Sequence, residues 1–192
     1  MTWGIMKKLL VAALLFVACG APTVVPKVEV TGTVGGETLK PLEAALGEAV
    51  SGRGRIDTLL LVVTEATGAC ENVKADKTAH STTTLALTLK NDRGDTLKPG
   101  SYPIIAGFPS GSSGNYAKGT ISKRDAACAD AYAGDAGTFT EGTVTLSTWT
   151  EAGSATGEFD LTVGSDHLTG KFAANTCAGV TEANVATADV CN

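Results

Sequence analysis

The chain has 192 residues, 43% of them hydrophobic, and carries 15 lysines and arginines against 20 aspartates and glutamates, a net charge of −5. That length suffices for one domain of ordinary size with a proper core. The acidic and unclustered charge argues against nucleic acid as a partner and against electrostatic binding to anionic lipid.

The first element in chain order is a leader. Lys7 and Lys8 precede the apolar run Leu9–Ala18, which ends on Cys19-Gly20. A membrane-spanning helix needs about 20 apolar residues, so this run is too short to span, and no later stretch reaches that length. A basic start, a short apolar stretch and small residues before a cleavage point are the pattern of a secretory signal. Met6 serves as a start as well as Met1 does, because residues 1–5 add nothing that such a signal needs. The segment Phe16-Val17-Ala18-Cys19-Gly20 resembles the lipobox of bacterial lipoproteins, departing from it only where Phe16 stands in place of the preferred leucine. In that family the chain is cut before the cysteine, which then carries palmitate-type acyl chains. The resemblance implies a signal peptide over residues 1–18, lipidation at Cys19, a lipidated tether over 19–26 and one β-rich domain over 27–192. Without Lys7 and Lys8, thirteen basic residues face twenty acidic ones. Membrane attachment then rests on acyl chains, each buried methylene contributing about 0.8 kcal/mol, and two or more chains make it durable. The tether Ala21–Pro26 holds two prolines, and the roughly seven residues from Cys19 to Pro26 reach at most about 25 Å.

From Lys27 the period is mostly two. Val28, Val30 and Val34 alternate with polar residues, as do Leu85, Leu87 and Leu89 in Thr82–Leu89. Val144 and Leu146 do the same in Thr143–Thr150, and Phe159, Leu161 and Val163 in the next run. Leu168 and Phe172 continue the pattern. Such alternation predicts antiparallel strands with one wet face, and the threonines on the outer faces suit β structure. Leu59-Leu60-Leu61-Val62-Val63 does not alternate and reads as a central strand buried on both faces, or one crossing between sheets. Gly35-Gly36, Asn91–Asp95, Lys98-Pro99-Gly100 and Gly164-Ser165-Asp166 supply turns between these runs. The last of them joins 155–163 to 167–173 in the clearest hairpin of the chain. Leu42, Ala45, Leu46 and Ala49 fall on one helical face, so a short helix is expected within Leu39–Val50, although Gly47 weakens it. Gly107–Tyr116 and Ala126–Gly137 read as loops. The expected fold is all-β: an antiparallel β-sandwich or an up-and-down barrel of roughly eight strands, with at most one short helix.

Five cysteines, Cys19, Cys70, Cys128, Cys177 and Cys191, leave an odd thiol in an exported chain. Assigning Cys19 to lipid leaves four for two disulfides, consistent with export. Four cysteines allow three connectivities, which sequence does not separate. The pairing taken forward is Cys70–Cys128 with Cys177–Cys191. No C-x-x-C occurs, and neither His80 nor His167 lies at ligand spacing from a cysteine, so no metal site is expected.

Three pieces together resemble the uncharacterised lipoproteins that myxobacteria encode in many copies. They are the lipobox, the opening Val30-Thr31-Gly32-Thr33-Val34-Gly35-Gly36, and the closing Thr156-Gly157-Glu158-Phe159-Asp160-Leu161-Thr162 with Leu168–Cys177. Cys191 falls outside these motifs. The resemblance covers most of the chain after the leader. It implies a β-rich domain lipid-anchored in the bacterial cell envelope, at the outer membrane, and it brings no catalytic residues.

Candidate chemistry is sparse. A Ser-His-Asp catalyst needs a positioned base, and His80 and His167 both read as exposed turn residues. Gly111-Ser112-Ser113-Gly114 lacks the apolar strand that precedes a nucleophile elbow. Asp125, Asp130 and Asp135 recur every five residues and could supply a carboxylate pair or oxygen ligands for calcium, but no EF-hand spacing is present. Arg93-Gly94-Asp95 matches an adhesion tripeptide and is equally good turn composition. No P-loop or dinucleotide fingerprint appears, so no cofactor is expected. These readings favour a non-enzymatic envelope lipoprotein, held at the membrane by its lipid anchor, with a structural or binding role toward an envelope or extracellular partner. The alternatives are a barrel-type carrier of a small molecule or lipid, and a hydrolase using the loop carboxylates.

Overall fold

The computed structural model describes residues 24–50, 54–75, 77–107, 114–132, 134–180 and 190–191, with side chains for all of these but 78, 134, 135, 190 and 191. The expected signal peptide and Cys19 lie outside the described residues.

The period-two segments fold as strands, β1 (Lys27–Val34), β6 (Thr83–Asn91), β9 (Glu141–Trp149), β10 (Ser154–Val163) and β11 (Asp166–Asn175), and the unbroken apolar run folds as β4 (Ile56–Thr64). Between and around them run β2 (Glu37–Thr38), β3 (Glu43–Val50), β5 (Lys77–Thr78), β7 (Gly100–Pro103), β8 (Asn115–Lys123) and β12 (Val190–Cys191). One helix, α1 (Ala69–Lys74), and a 3-10 turn at Gly134–Gly137 complete the described elements. Two antiparallel sheets result. The larger has the order β2-β1-β11-β10-β9-β7, the smaller β3-β4-β6-β8, while β5 and β12 form a short parallel pair apart from both. The sheets meet at single bridges, Leu46 with Thr176 and Ile104 with Ala117. A barrel would need a continuous ladder at both joins. The architecture is therefore a β-sandwich and not the up-and-down barrel.

The space between the sheets is filled by Leu59, Leu61 and Val63 of β4, Leu85, Leu87 and Leu89 of β6, and Val144, Phe159, Leu161, Leu168 and Phe172 of the larger sheet. Phe159 lies opposite Gly170, and Gly157 opposite Phe172. A Cβ on Gly157 would come within 2.7 Å of the Phe172 ring, and one on Gly170 would meet the ring of Phe159. Each glycine thus gives its cross-strand phenylalanine a place to lie flat on the sheet.

β4 is buried on both faces, as its unbroken apolar run predicts. Leu60 and Val62 point away from the sandwich core into a second cluster with Ala45, Ala69, Val73, Cys177 and Val180. Helix α1 and the chain after β11 cover this outer face. Glu43 Oε2 accepts the Ala69 N–H at 2.8 Å and so satisfies one open donor at the start of α1. A disulfide joins Cys70 on α1 to Cys177, with 5.7 Å between the Cα atoms. Cys128 is disulfide-bonded as well. The expected pairs Cys70–Cys128 and Cys177–Cys191 are both overturned by this bond. Its cause is tertiary: the Cys177 N–H binds the Leu46 carbonyl at 2.7 Å, which brings the end of β11 beneath α1.

The expected helix within Leu39–Val50 is instead strand β3, paired with β4 along its whole length. The helical spacing of its apolar residues has a different origin. Both faces of β3 are partly covered: Leu46 belongs to the sandwich core and Ala45 to the second cluster. A Cβ on Gly47 would come within 2.6 Å of Val180, so close packing there needs glycine.

Tyr102 is fully buried on β7. Its hydroxyl donates to the Lys98 carbonyl at 2.7 Å and accepts the Lys98 N–H at 3.3 Å. This is a tyrosine corner: a buried phenol that ties back to the backbone a few residues upstream and holds the turn between the sheets. Leu97, in the core, anchors the other side of the Lys98-Pro99-Gly100 turn.

Two outcomes follow from this packing. Tyr102→Phe strips the partner from two backbone groups and is expected to cost about 1–3 kcal/mol, seen as a lower urea midpoint at unchanged slope. Proteolysis without reduction is expected to release a peptide linking Cys70 to Cys177. Opening that loop by Cys70→Ala with Cys177→Ala should cost about 2–5 kcal/mol.

Candidate functional site

The outward side chains of the larger sheet alternate with the core residues and line up across the strands. One row runs Glu29, Lys171, Glu158, Thr145, Ser101, and the next Thr31, Thr169, Asp160, Thr143, Pro103. A third holds His167, Thr162 and Glu141. The rows carry charges and hydroxyls at the spacing of neighbouring strands, about 4.8 Å. The first two border an open cavity of about 370 Å³ that includes Glu29, Thr31, Thr143, Glu158, Asp160 and Lys171.

Two glycines permit this concave shape. Gly32 on β1 and Gly142 on β9 have φ of +122° and +131°, a region that side chains avoid. They sit at the two ends of one cross-strand row, Gly32, Leu168, Leu161, Gly142. A Cβ on them would run into the His167 and Asp160 carbonyls respectively. Glycine kinks of this kind bend the strands that flank a central pair.

Within the site His167 Nε2 lies 2.7 Å from Asp160 Oδ1, and both side chains are more than half exposed. Lys27 Nζ lies 2.6 Å from Glu29 Oε1 at the mouth. The hydrogen bond between that pair, reinforced by their opposite charges, raises the lysine and lowers the glutamate from their ordinary values. Beyond His167 the rim is pinned by Asp166, whose Oδ2 accepts the Gly35 N–H at 2.8 Å and the Tyr132 hydroxyl at 3.3 Å. This carboxylate joins the β1–β2 turn, the loop before the 3-10 turn and the β10–β11 hairpin.

The residues singled out from sequence do not come together. His167 is the second residue of β11 and not a turn residue. His80 Nδ1 lies 3.1 Å from the Ala126 carbonyl, away from this face. Asp125 Oδ1 accepts the Ala127 and Ala129 N–H groups at 2.8 and 2.9 Å. Asp130 Oδ1 accepts those of Lys123 and Tyr132 at 3.1 and 2.9 Å. Both aspartates build the 123–132 turn. The Asp135 side chain, like residues 108–113 of the Gly107–Tyr116 loop and the Cys191 side chain, lies outside the described residues. In Arg93-Gly94-Asp95 the Asn91 side chain accepts the Arg93 and Asp95 N–H groups, and Asp95 meets Arg55 at 3.3 Å. That tripeptide is an exposed, hydrogen-bonded turn. Among the described residues no group of three or more His, Cys, Asp or Glu side chains could hold a metal ion.

Sequence reading missed the polar face because each of its residues looks like an ordinary wet position. The usable signal was the recurrence of threonine and charge at every second residue of β1, β9, β10 and β11. In comparisons with protein-family models, curated proteins and solved structures, nothing matches this chain.

Burial pushes the Tyr132 hydroxyl upward, and the adjacent Asp166 charge and hydrogen bond act in the same direction. Burial also raises Tyr102, opposed by the N–H that Lys98 donates to it. Both folded-state values thus exceed the ordinary value of 10.0. The stability these phenols contribute is complete below about pH 10 and falls as pH rises through the folded values. Ultraviolet titration of the folded protein is expected to show Tyr102 and Tyr132 ionising later than free tyrosine, together with alkaline loss of stability. Tyr132→Phe should remove one late step.

Proposed function

We propose that this chain is a non-enzymatic, lipid-anchored protein of the bacterial cell envelope whose β-sandwich binds an envelope glycan through the concave face of its larger sheet. The observation that carries the reading is the alignment of Glu29, Lys171, Glu158 and Thr145 with Thr31, Thr169, Asp160 and Thr143 across four strands. Such a lattice of hydroxyls, carboxylates and an ammonium suits a ligand that carries many hydroxyl and charged groups, since each can find a hydrogen-bond partner at a fixed spacing. The anchor is supported by the lipobox resemblance at Phe16–Gly20 and by the presence of disulfides, which belong to export.

A non-enzymatic role is favoured because water reaches Glu29, Glu158 and Asp160 freely, whereas acid–base work draws on carboxyls held in a desolvated pocket. Asp125 and Asp130, two of the three carboxylates behind the hydrolase reading, are committed to backbone. The carrier reading depended on a closed barrel, and here apolar side chains fill the space between two open sheets.

The test is cosedimentation of the chain beginning at Cys19 with isolated peptidoglycan sacculi and, separately, with lipopolysaccharide. Retention by one of them is expected, falling at least about tenfold in Glu158→Gln with Lys171→Met, two exposed changes that should move stability by less than about 0.5 kcal/mol each. Retention by neither, or retention that the double substitution leaves unchanged, would remove the glycan-binding reading.

A further inference from the structure

Cys70 and Cys177 are bonded to each other, and Cys128 is disulfide-bonded too. With that first pair taken, the partner of Cys128 within the chain is Cys19 or Cys191. The course of the backbone separates the two. β12 runs parallel to β5 and sets Cys191 level with Thr78, at the spacing of neighbouring strands, about 4.8 Å. Three residues beyond Thr78, the Ser81 N–H donates to the Asp125 carbonyl at 3.2 Å, and the Cys128 N–H donates to that same carbonyl at 3.1 Å. His80 Nδ1 lies 3.1 Å from the Ala126 carbonyl next to it. The short segment 78–81 thus meets the strand of Cys191 at one end and the turn of Cys128 at the other. A disulfide joins Cα atoms about 4.4–6.8 Å apart, and this placement brings the two cysteines to one corner of the fold.

Cys19 belongs to a different end. The turn of Cys128 follows β8 past Lys123, at the end of the smaller sheet that Thr83, Thr64 and Glu43 mark on the other strands. Val50 stands at the opposite end of β3. The chain enters β1 from Val24, whose N–H and carbonyl are held by the Asn175 side chain at 3.0 and 3.1 Å. The parallel bridge of Leu46 with Thr176 puts that point level with the middle of β3. Because β1 runs antiparallel to β11, its start points toward the Val50 end, away from the turn of Cys128.

The turn itself calls for a tie. Cys128 has a φ of +67°, a left-handed conformation that a residue with a side chain keeps only where its surroundings fix it. Four residues on, Tyr132 donates its hydroxyl to Asp166 at the rim of the polar face. We infer that Cys128 and Cys191 form the second disulfide, which clips β12 to the 123–132 turn and leaves Cys19 as the one cysteine that keeps its thiol. Forming the bond takes one electron and one proton from each thiol. A disulfide oxidant receives both electrons and both protons and departs as two thiols. The inference holds whether or not Cys19 is acylated, and it supplies what the anchor reading needs, a cysteine at position 19 that no disulfide consumes.

The experiment is disulfide mapping of the unacylated chain beginning at Cys19, folded with oxidised glutathione as the oxidant. Iodoacetamide blocks the remaining thiols in denaturant. Trypsin and a glutamate-specific protease then cut the unreduced chain, the second separating Cys177 from Cys191 at Glu182. The expected products are one peptide linking Cys70 to Cys177 and one linking Cys128 to Cys191, with iodoacetamide label or glutathione on Cys19 alone. A link from Cys128 to Cys19, or label on Cys128 or Cys191, would overturn the pairing. Cys19→Ser, a change ahead of the fold, should leave both links in place and no thiol to label; a thiol appearing at Cys128 in that variant would contradict the inference equally. Adding Cys191→Ser to it should expose a thiol at Cys128 and speed amide hydrogen exchange across 125–132 by at least about threefold. Unchanged exchange there would overturn the clip.

Discussion

The rest of the structure depends on one constraint: β4 is apolar on both faces and must be covered twice. Leu59, Leu61 and Val63 are covered by the larger sheet, as in any sandwich. Leu60 and Val62 need a second cover, and a four-stranded sheet does not provide one. Helix α1, the chain from Cys177 to Val180 and the Cys70–Cys177 bond supply it. The same requirement accounts for Gly47, where only a missing side chain lets Val180 approach β3. It accounts as well for the end of β11 running beneath α1, and so for a disulfide that links residues 107 apart.

What could be read from sequence follows the same division. β1, β6 and the β10–β11 hairpin each have one wet face and one dry face, so alternation marks them. β4 betrays itself by lacking alternation. β3 is misleading because two different clusters claim its two faces, and Leu42, Ala45, Leu46 and Ala49 then imitate a helical stripe. The disulfide partner of Cys70 depends on where β11 ends in space, which no local pattern encodes. The corner at Tyr102 was legible in part. Lys98-Pro99-Gly100 announces a turn, but the role of the tyrosine two residues later emerges only when its hydroxyl is seen to close back on Lys98.

The polar face shows how a site can be invisible residue by residue. Thr31, Thr143, Asp160 and Thr169 each occupy the solvent side of a strand, where polar residues are the default. They become a site only through register, which places them in one row, and through Gly32 and Gly142, whose backbone angles let the flanking strands bend. Glu48 performs a comparable service at the opposite edge. Its carboxylate accepts from the Trp149 indole at 3.2 Å and from the Ala152 N–H at 3.1 Å, fastening β3 to the β9–β10 turn. The two sheets are thus held by polar ties at their margins and by apolar packing at their centre.

The central proposal is that an exported, disulfide-bonded domain is carried to the envelope by a lipid on Cys19. The intact mass of the protein from the membrane fraction, before and after reduction, tests it most directly. The account predicts a mass equal to residues 19–192 plus acyl groups, rising by about four hydrogens on reduction, since two disulfides each take up two. An unacylated mass in the soluble fraction, or a mass that reduction leaves unchanged, would contradict it.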